Sequence, residues 1–210
     1  MASEVKANKL SPATGVTTTL GDASDVFQLP ASAEIDIASG ATLDINGTAD
    51  FTGATVTGLS AGLFSSYAII ADQKVGQSGT FTSGAWRTRD LNTEIADPDG
   101  IVSIASDQFT LAAGSYLIKW IAPAFYVNLH QTRLYNVTDA AQVEVGVCAF
   151  VNVNSVVTTS SGCARTTIAG SKAFTIEHRC VTTAATAGFG QNCAFSVNDQ
   201  YTLVEIFKEV

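Results

Sequence analysis

Three observations predict an all-β chain built as an antiparallel β-sandwich, a jelly roll, with a thin β stem before it. Apolar residues recur at every second position in short runs. Gly, Pro, Asn and Asp interrupt those runs about every 8–15 residues, the rhythm of a sandwich or barrel. Nowhere does an apolar stretch keep the helical period of about 3.6 residues. The composition agrees. Of the 210 residues, 46% are hydrophobic and only 14% charged, against about a quarter in an average domain. Thr, Ser, Ala, Gly and Asn take the place of charge, and small and β-branched residues suit strands and tight turns.

The segment 31–64 has its own grammar. Ile35 and Ile37 are followed eight residues later by Leu43 and Ile45, and Phe51 follows Leu43 by eight again. Gly40, Gly47, Gly53 and Gly58 punctuate the pattern. Apolar residues at i and i+2 share one face of a strand, and the glycines turn the chain. Each such strand offers only one or two side chains to a core. A repeat that cannot bury its own face must stack on neighbours or on other chains. Several copies wound round one axis satisfy that need, which predicts an oligomeric stem.

From Ser65 the apolar text is denser, and 65–210 reads as the head domain. "YAIIA" (Tyr67–Ala71) predicts a buried strand. "TFTSGAWRTRDL" alternates with Phe81, Trp86 and Leu91 as anchors. "ADPDG" (Ala96–Gly100) is a turn signal. Ile101 to Leu111 forms the next stretch. Gly114 precedes a strand carrying Tyr116, Ile118, Trp120 and Ala122. "TRLYNVTDA" supplies Leu134 and Val137, and "QVEVGVCAFVNV" alternates over a long run. "KAFTIEHRCVT" places Phe174, Ile176, His178 and Cys180 on one face, and "QYTLVEIFKEV" closes the sheet. About 145 residues can bury a sizeable core.

Charge narrows the function. The net charge of -8 opposes a nucleic-acid partner. No run reaches the roughly 18 apolar residues of a membrane-spanning helix, so membrane insertion is not expected. Met1–Leu10 carries no secretory-signal pattern, and export by that route is not expected. No serine-hydrolase elbow, phosphate loop or dinucleotide fingerprint occurs. His130 and His178 stand far apart in sequence, outside any zinc spacing. His178 reads as a satisfied structural or interface histidine on an inward strand face, and His130 as a turn residue. Asp97 and Asp99 read as turn formers, with calcium binding by Asp97, Asp99 and Asp107 the weaker reading. Trp120 reads as core. Trp86, Phe125 and Tyr126 are the aromatics open to ligand contact. Cys148, Cys163, Cys180 and Cys193 read as buried small hydrophobes, with disulfides the alternative. No catalytic, cofactor or metal site is assigned, and the chain is not expected to be an enzyme.

Two resemblances extend this reading. The openings "YAIIADQK" and "GTFTSGAWRTRDLNTEIADPDGIV", the stretch "FTLAAGSYLIKWIAPAF" and the closing "YTLVEIFKE" resemble the jelly-roll head of complement-type and tumour-necrosis-factor-type trimers. In the third, Phe109, Leu111, Gly114 and Tyr116 carry the likeness, which covers about two-thirds of the chain. It implies a homotrimer with the last strand, Tyr201 to Phe207, at its centre. "NKLSPATGVTTTLGD" and "ASGATLDINGTADFTG" resemble docking and stem segments of tailed-phage virion proteins. They imply a docking segment at 1–30, other virion proteins of the capsid or tail as partners, and a place on the particle surface after assembly in a host cytoplasm. The expectation is then a head fibre or capsid decoration, or else a short tail fibre binding a host-surface glycan or protein.

Overall fold

The computed structural model describes Thr42 and residues 62–210. The expected docking segment (1–30) and all of the expected stem (31–64) except Thr42 and its last three residues lie outside the described residues. Twelve strands and no helix occur among those described. In chain order they are β1 (Phe64–Lys74), β2 (Arg87–Thr88), β3 (Thr93–Ala96), β4 (Val102–Ala105), β5 (Gln108–Leu111) and β6 (Gly114–Phe125). There follow β7 (Asn128–Asn136), β8 (Ala141–Val145), β9 (Ala149–Val151), β10 (Val157–Ile168), β11 (Lys172–Cys180) and β12 (Asp199–Glu209).

The strands form two antiparallel sheets. The first runs β10-β6-β12-β1-β3 and the second β4-β5-β11-β7-β8, with β2 on β11 and β9 on β7. The pairings nest: β1 with β12, β5 with β11, β6 with β10 and β7 with β8. A long hairpin rolled up in this way is a jelly roll, so the predicted sandwich is the fold observed.

Burial follows the period of two. Along β6, Tyr116, Ile118, Trp120, Ala122 and Ala124 are buried, and the residues between them are less so. They meet Ala68 and Ile70 of β1, Val204 and Ile206 of β12, and Phe109, Leu134, Phe174 and Ile176 from the second sheet. Phe109 and Phe174 stack at 5.7 Å between centroids. Burying each of the larger apolar side chains among them stabilises by about 1.5–3 kcal/mol before conformational entropy is charged against it. A second cluster closes one end of the sandwich around Phe81, Ala124, Val127, Val151, Cys180 and Ala184.

Three expectations need correction. The alternating "TFTSGAWRTRDL" is mostly loop, with only Arg87–Thr88 in a ladder. Phe81 is buried there, but it bridges to Ala184 of another loop rather than to a strand. "QVEVGVCAFVNV" is not one long strand. It splits at Gly146 into β8 and β9, where a Cβ would crowd Thr132, the Ser161 carbonyl and Ser160. Finally, the twelve-residue β10 carries no apolar alternation and was not expected. Its inward side reads Thr158, Ser160, Gly162, Ala164, Thr166, Ile168. Those small residues make room for a large neighbour: Gly162 faces Trp120 across the ladder, and a Cβ there would overlap the indole ring.

Candidate functional site

The outer face of the first sheet is laid out by register. One row runs Tyr67, Phe207, Leu117, Arg165; the next Ile69, Glu205, Lys119, Cys163; the third Ala71, Leu203, Ile121, Ser161. Apolar side chains thus flank a central Lys119–Glu205 ion pair of 3.2 Å. Tyr67 is 44% exposed and Ile121 41%. A groove of about 550 Å³ runs beside the pair, walled by Ile121, Leu203, Cys163 and Val147. β12 sits in the middle of this sheet. It shows Leu203, Glu205 and Phe207 outward. Tyr201, expected on the same face, is instead buried within the protomer, its hydroxyl donating to the Gly76 carbonyl.

Between the sheets at the Phe81 end lies a polar cluster. Arg89 is 1% exposed. Its Nε donates to Thr202 Oγ1 at 2.9 Å, Nη1 to the Pro123 carbonyl at 3.2 Å, and Nη2 to the Phe189 and Tyr201 carbonyls at 3.0 Å each. The position explains the charge. The β6–β12 ladder ends at Ile121 opposite Leu203, and beyond it the guanidinium spans Pro123 and Tyr201 in place of ladder bonds. Its charge also rests 4.5 Å from the Phe189 ring centroid. Burial pulls its pKa down to about 10, with Asp72 and Asp90 opposing.

His130 and His178 belong to the same cluster, which sequence reasoning kept apart. His130 lies in β7 rather than a turn, and Cys180 faces it across the ladder. Its Nδ1 and His178 Nε2 are 2.9 Å apart, and its Nε2 lies 2.8 Å from Thr158 Oγ1. His178 is wholly buried inside one protomer, against the Phe81 ring, so it is structural and not an interface residue. Its Nδ1 has no partner. Donation from His178 Nε2–H to His130 Nδ1 leaves that orphan a bare lone pair instead of a stranded N–H, the cheaper choice. Desolvation lowers both pKa values, that of His130 to about 4, and nearby Arg89 adds to it. Neither ring has a free nitrogen that reaches solvent, so the pair is not built to move protons for a substrate.

The remaining expected residues disperse. Both carboxylate oxygens of Asp97 accept backbone N–H bonds, from Ile101 at 2.8 Å and Val102 at 2.9 Å. Asp99 accepts from Ser66 Oγ, and Asp107 accepts from Leu91 N–H at 3.2 Å. The turn reading accounts for Asp97, and no metal-ligating cluster occurs among the described residues. Trp120 is core, and its Nε1–H donates to Thr132 Oγ1 at 2.8 Å. Phe125 is half-buried beside Tyr126, which is 48% exposed and has φ 55°. All four cysteines are free. Only Cys180 is buried, against expectation: Cys148 and Cys193 fall in loops and Cys163 on the outer face of β10.

On the outer face of the second sheet, β11 and β7 present another feature. Arg133 is held between the rings of Trp86 (4.4 Å) and Tyr135 (4.6 Å) and bonds Glu177 at 2.6 Å. Next to this stack a cleft of about 340 Å³ opens, walled by Trp86, Leu129, Gln131, Cys148, Arg179 and Val181. Of the side chains flagged by sequence, half-buried Trp86, exposed Cys148 and buried His130 and Cys180 border it. Arg179 and Gln131 carried no signal, because a solvated outward position on a strand looks the same in sequence whether or not it borders a cleft.

No family model and no curated protein sequence matches this chain. Among solved structures, it is similar to the globular domain of zebrafish complement 1qA protein. That match has 19% identity and a TM-score of 0.45, over 68% of this chain and 95% of the other. It is also similar to murine APRIL crystallised at pH 8.5, with 7% identity and a TM-score of 0.46, over 68% and 98% of the two chains. The jelly-roll assignment rests on the strand order itself.

Proposed function

We propose that this chain is a non-enzymatic, homotrimeric structural protein of a tailed-phage virion, a head fibre or capsid decoration mounted by its N-terminal segment. The observation that carries self-association is the outer face of the first sheet. Its exposed Tyr67 and Ile121, with Leu117, Leu203 and Phe207 alongside, form one apolar field around an ion pair. Contiguous apolar surface of this kind marks an interaction site. The central Lys119 and Glu205 suit further copies of the same chain, since every copy brings both signs. The virion setting is supported by the wording of "NKLSPATGVTTTLGD" and "ASGATLDINGTADFTG". Antibody labelling of purified particles tests it: gold on the capsid is expected. Gold on the tail contradicts the decoration reading, and no gold contradicts the virion reading.

A second reading, a receptor-binding short tail fibre, is favoured by the cleft beside Trp86. Three copies of one weak site would multiply a modest affinity. Purified protein should then compete with particles for host cells, and undiminished adsorption at saturating protein contradicts it.

A further inference from the structure

We infer that the cleft between β11, β7 and the loop before β2 is a binding site for a carboxylate-bearing sugar. This deepens the receptor-binding reading and rests on it for its biological role, though not for the binding itself. The size fits: about 340 Å³ lies in the range of small-molecule sites. The lining is apolar, with a few polar groups placed to orient a ligand. Leu129 and Val181 are 55% and 60% exposed. Trp86 supplies an aromatic wall. One of its faces is engaged by Arg133, which fixes the ring on the sheet. Aromatic walls take up the C–H-rich face of a sugar ring while its hydroxyls turn to polar neighbours.

The charge of the ligand follows from the charge of the wall. Arg179 is the one charged side chain bordering the cleft, and no carboxylate partner lies within ion-pair distance of it among the described residues. The whole chain carries -8 and five arginines. Two of the five, Arg133 and Arg179, stand on the outward side of β7 and β11, and Glu177 neutralises only Arg133. A local cationic site on an anionic protein selects an anion, and the planar guanidinium fork matches a carboxylate. Gln131 completes the set. Its Nε2 is committed to the Gly146 carbonyl at 2.8 Å, which leaves Oε1 to accept from a ligand hydroxyl. The cleft lies on the opposite side of the sandwich from the first sheet's outer face, so self-association leaves it open.

The test uses the full chain with digalacturonate and the neutral disaccharide of the same linkage, read by tryptophan fluorescence. Of the two tryptophans, Trp120 is 3% exposed and outside the cleft, so the ligand-induced change in emission reports Trp86. Saturable quenching by digalacturonate is expected, about tenfold tighter than by the neutral sugar and weakened by salt. Arg179→Gln, at an exposed position, should abolish that preference. Trp86→Phe, read by calorimetry, should weaken both sugars. Equal binding of the two sugars by the wild type, an unaltered preference in Arg179→Gln, or no saturation overturns the inference. A short peptide carboxylate competing as well as the sugar overturns its sugar part. Binding in vitro without any effect of digalacturonate on particle adsorption supports the site and contradicts its attachment role.

Discussion

At the scale of single residues, the unusual chemistry of this protein is concentrated in Arg89, His130 and His178. Arg89 satisfies three carbonyls and a hydroxyl with one side chain. Arg89→Met keeps the volume but strands those acceptors, each costing about 1–3 kcal/mol when buried. A loss of at least about 3 kcal/mol in urea-unfolding free energy is expected, whereas a shift below about 1 kcal/mol contradicts the bridging of Pro123 and Tyr201 by Arg89. The histidines predict pH dependence. Their folded pKa values lie below that of an unfolded histidine, so the unfolded state binds more protons in between. Their contribution is therefore complete above about pH 6.5 and is lost as the pH falls toward about 4, where His130 titrates in the folded state. Asp72, whose pKa burial raises, acts in the opposite sense. Comparing wild type with His130→Gln isolates the histidine part: the variant's urea midpoint should fall less between pH 7 and pH 5 (about the histidine range). Parallel pH profiles contradict the assignment. Little of this cluster was legible in sequence. A buried arginine looks like any surface arginine until the end of a ladder is seen to need donors, and 48 residues separate the two histidines.

At the scale of elements, the strands whose inward positions are large and apolar were legible, and those built on small residues were not. β6 and β11 announce themselves through Tyr116, Ile118 and Trp120 and through Phe174, Ile176 and His178. β10 hides because its inward side is complementary to Trp120 and must be small. Gly162 is the clearest case, and Ser160 is another. Thr132 Oγ1 accepts from Trp120 and Ser160 Oγ donates to the Val147 carbonyl at 2.7 Å, so a hydroxyl chain ties the two sheets together. Gly162→Val should force the indole from its site and cost about 2–3 kcal/mol by overpacking. Thermal melting would read this as a lowered midpoint, with the Trp120 fluorescence shifted to longer wavelength. An unchanged midpoint contradicts the complementarity.

At the scale of the whole molecule, the two faces of the sandwich differ in kind. The first sheet offers an apolar field with an ion pair at its centre, and the second an arginine-bearing cleft. That division suits an assembly joined through one face and open to ligands on the other. The resemblance marks the whole stretch from Tyr201 to Phe207 as an interface strand; Leu203 and Phe207 do face outward, while Tyr201 is covered by the Gly76 loop. Sedimentation equilibrium of the full chain at neutral pH tests the account most directly, with Leu203→Glu measured alongside. A mass three times the 21.8 kDa chain is expected for the wild type, and one chain mass for a folded variant. A wild-type protein at one chain mass, or a variant that still assembles, would contradict it.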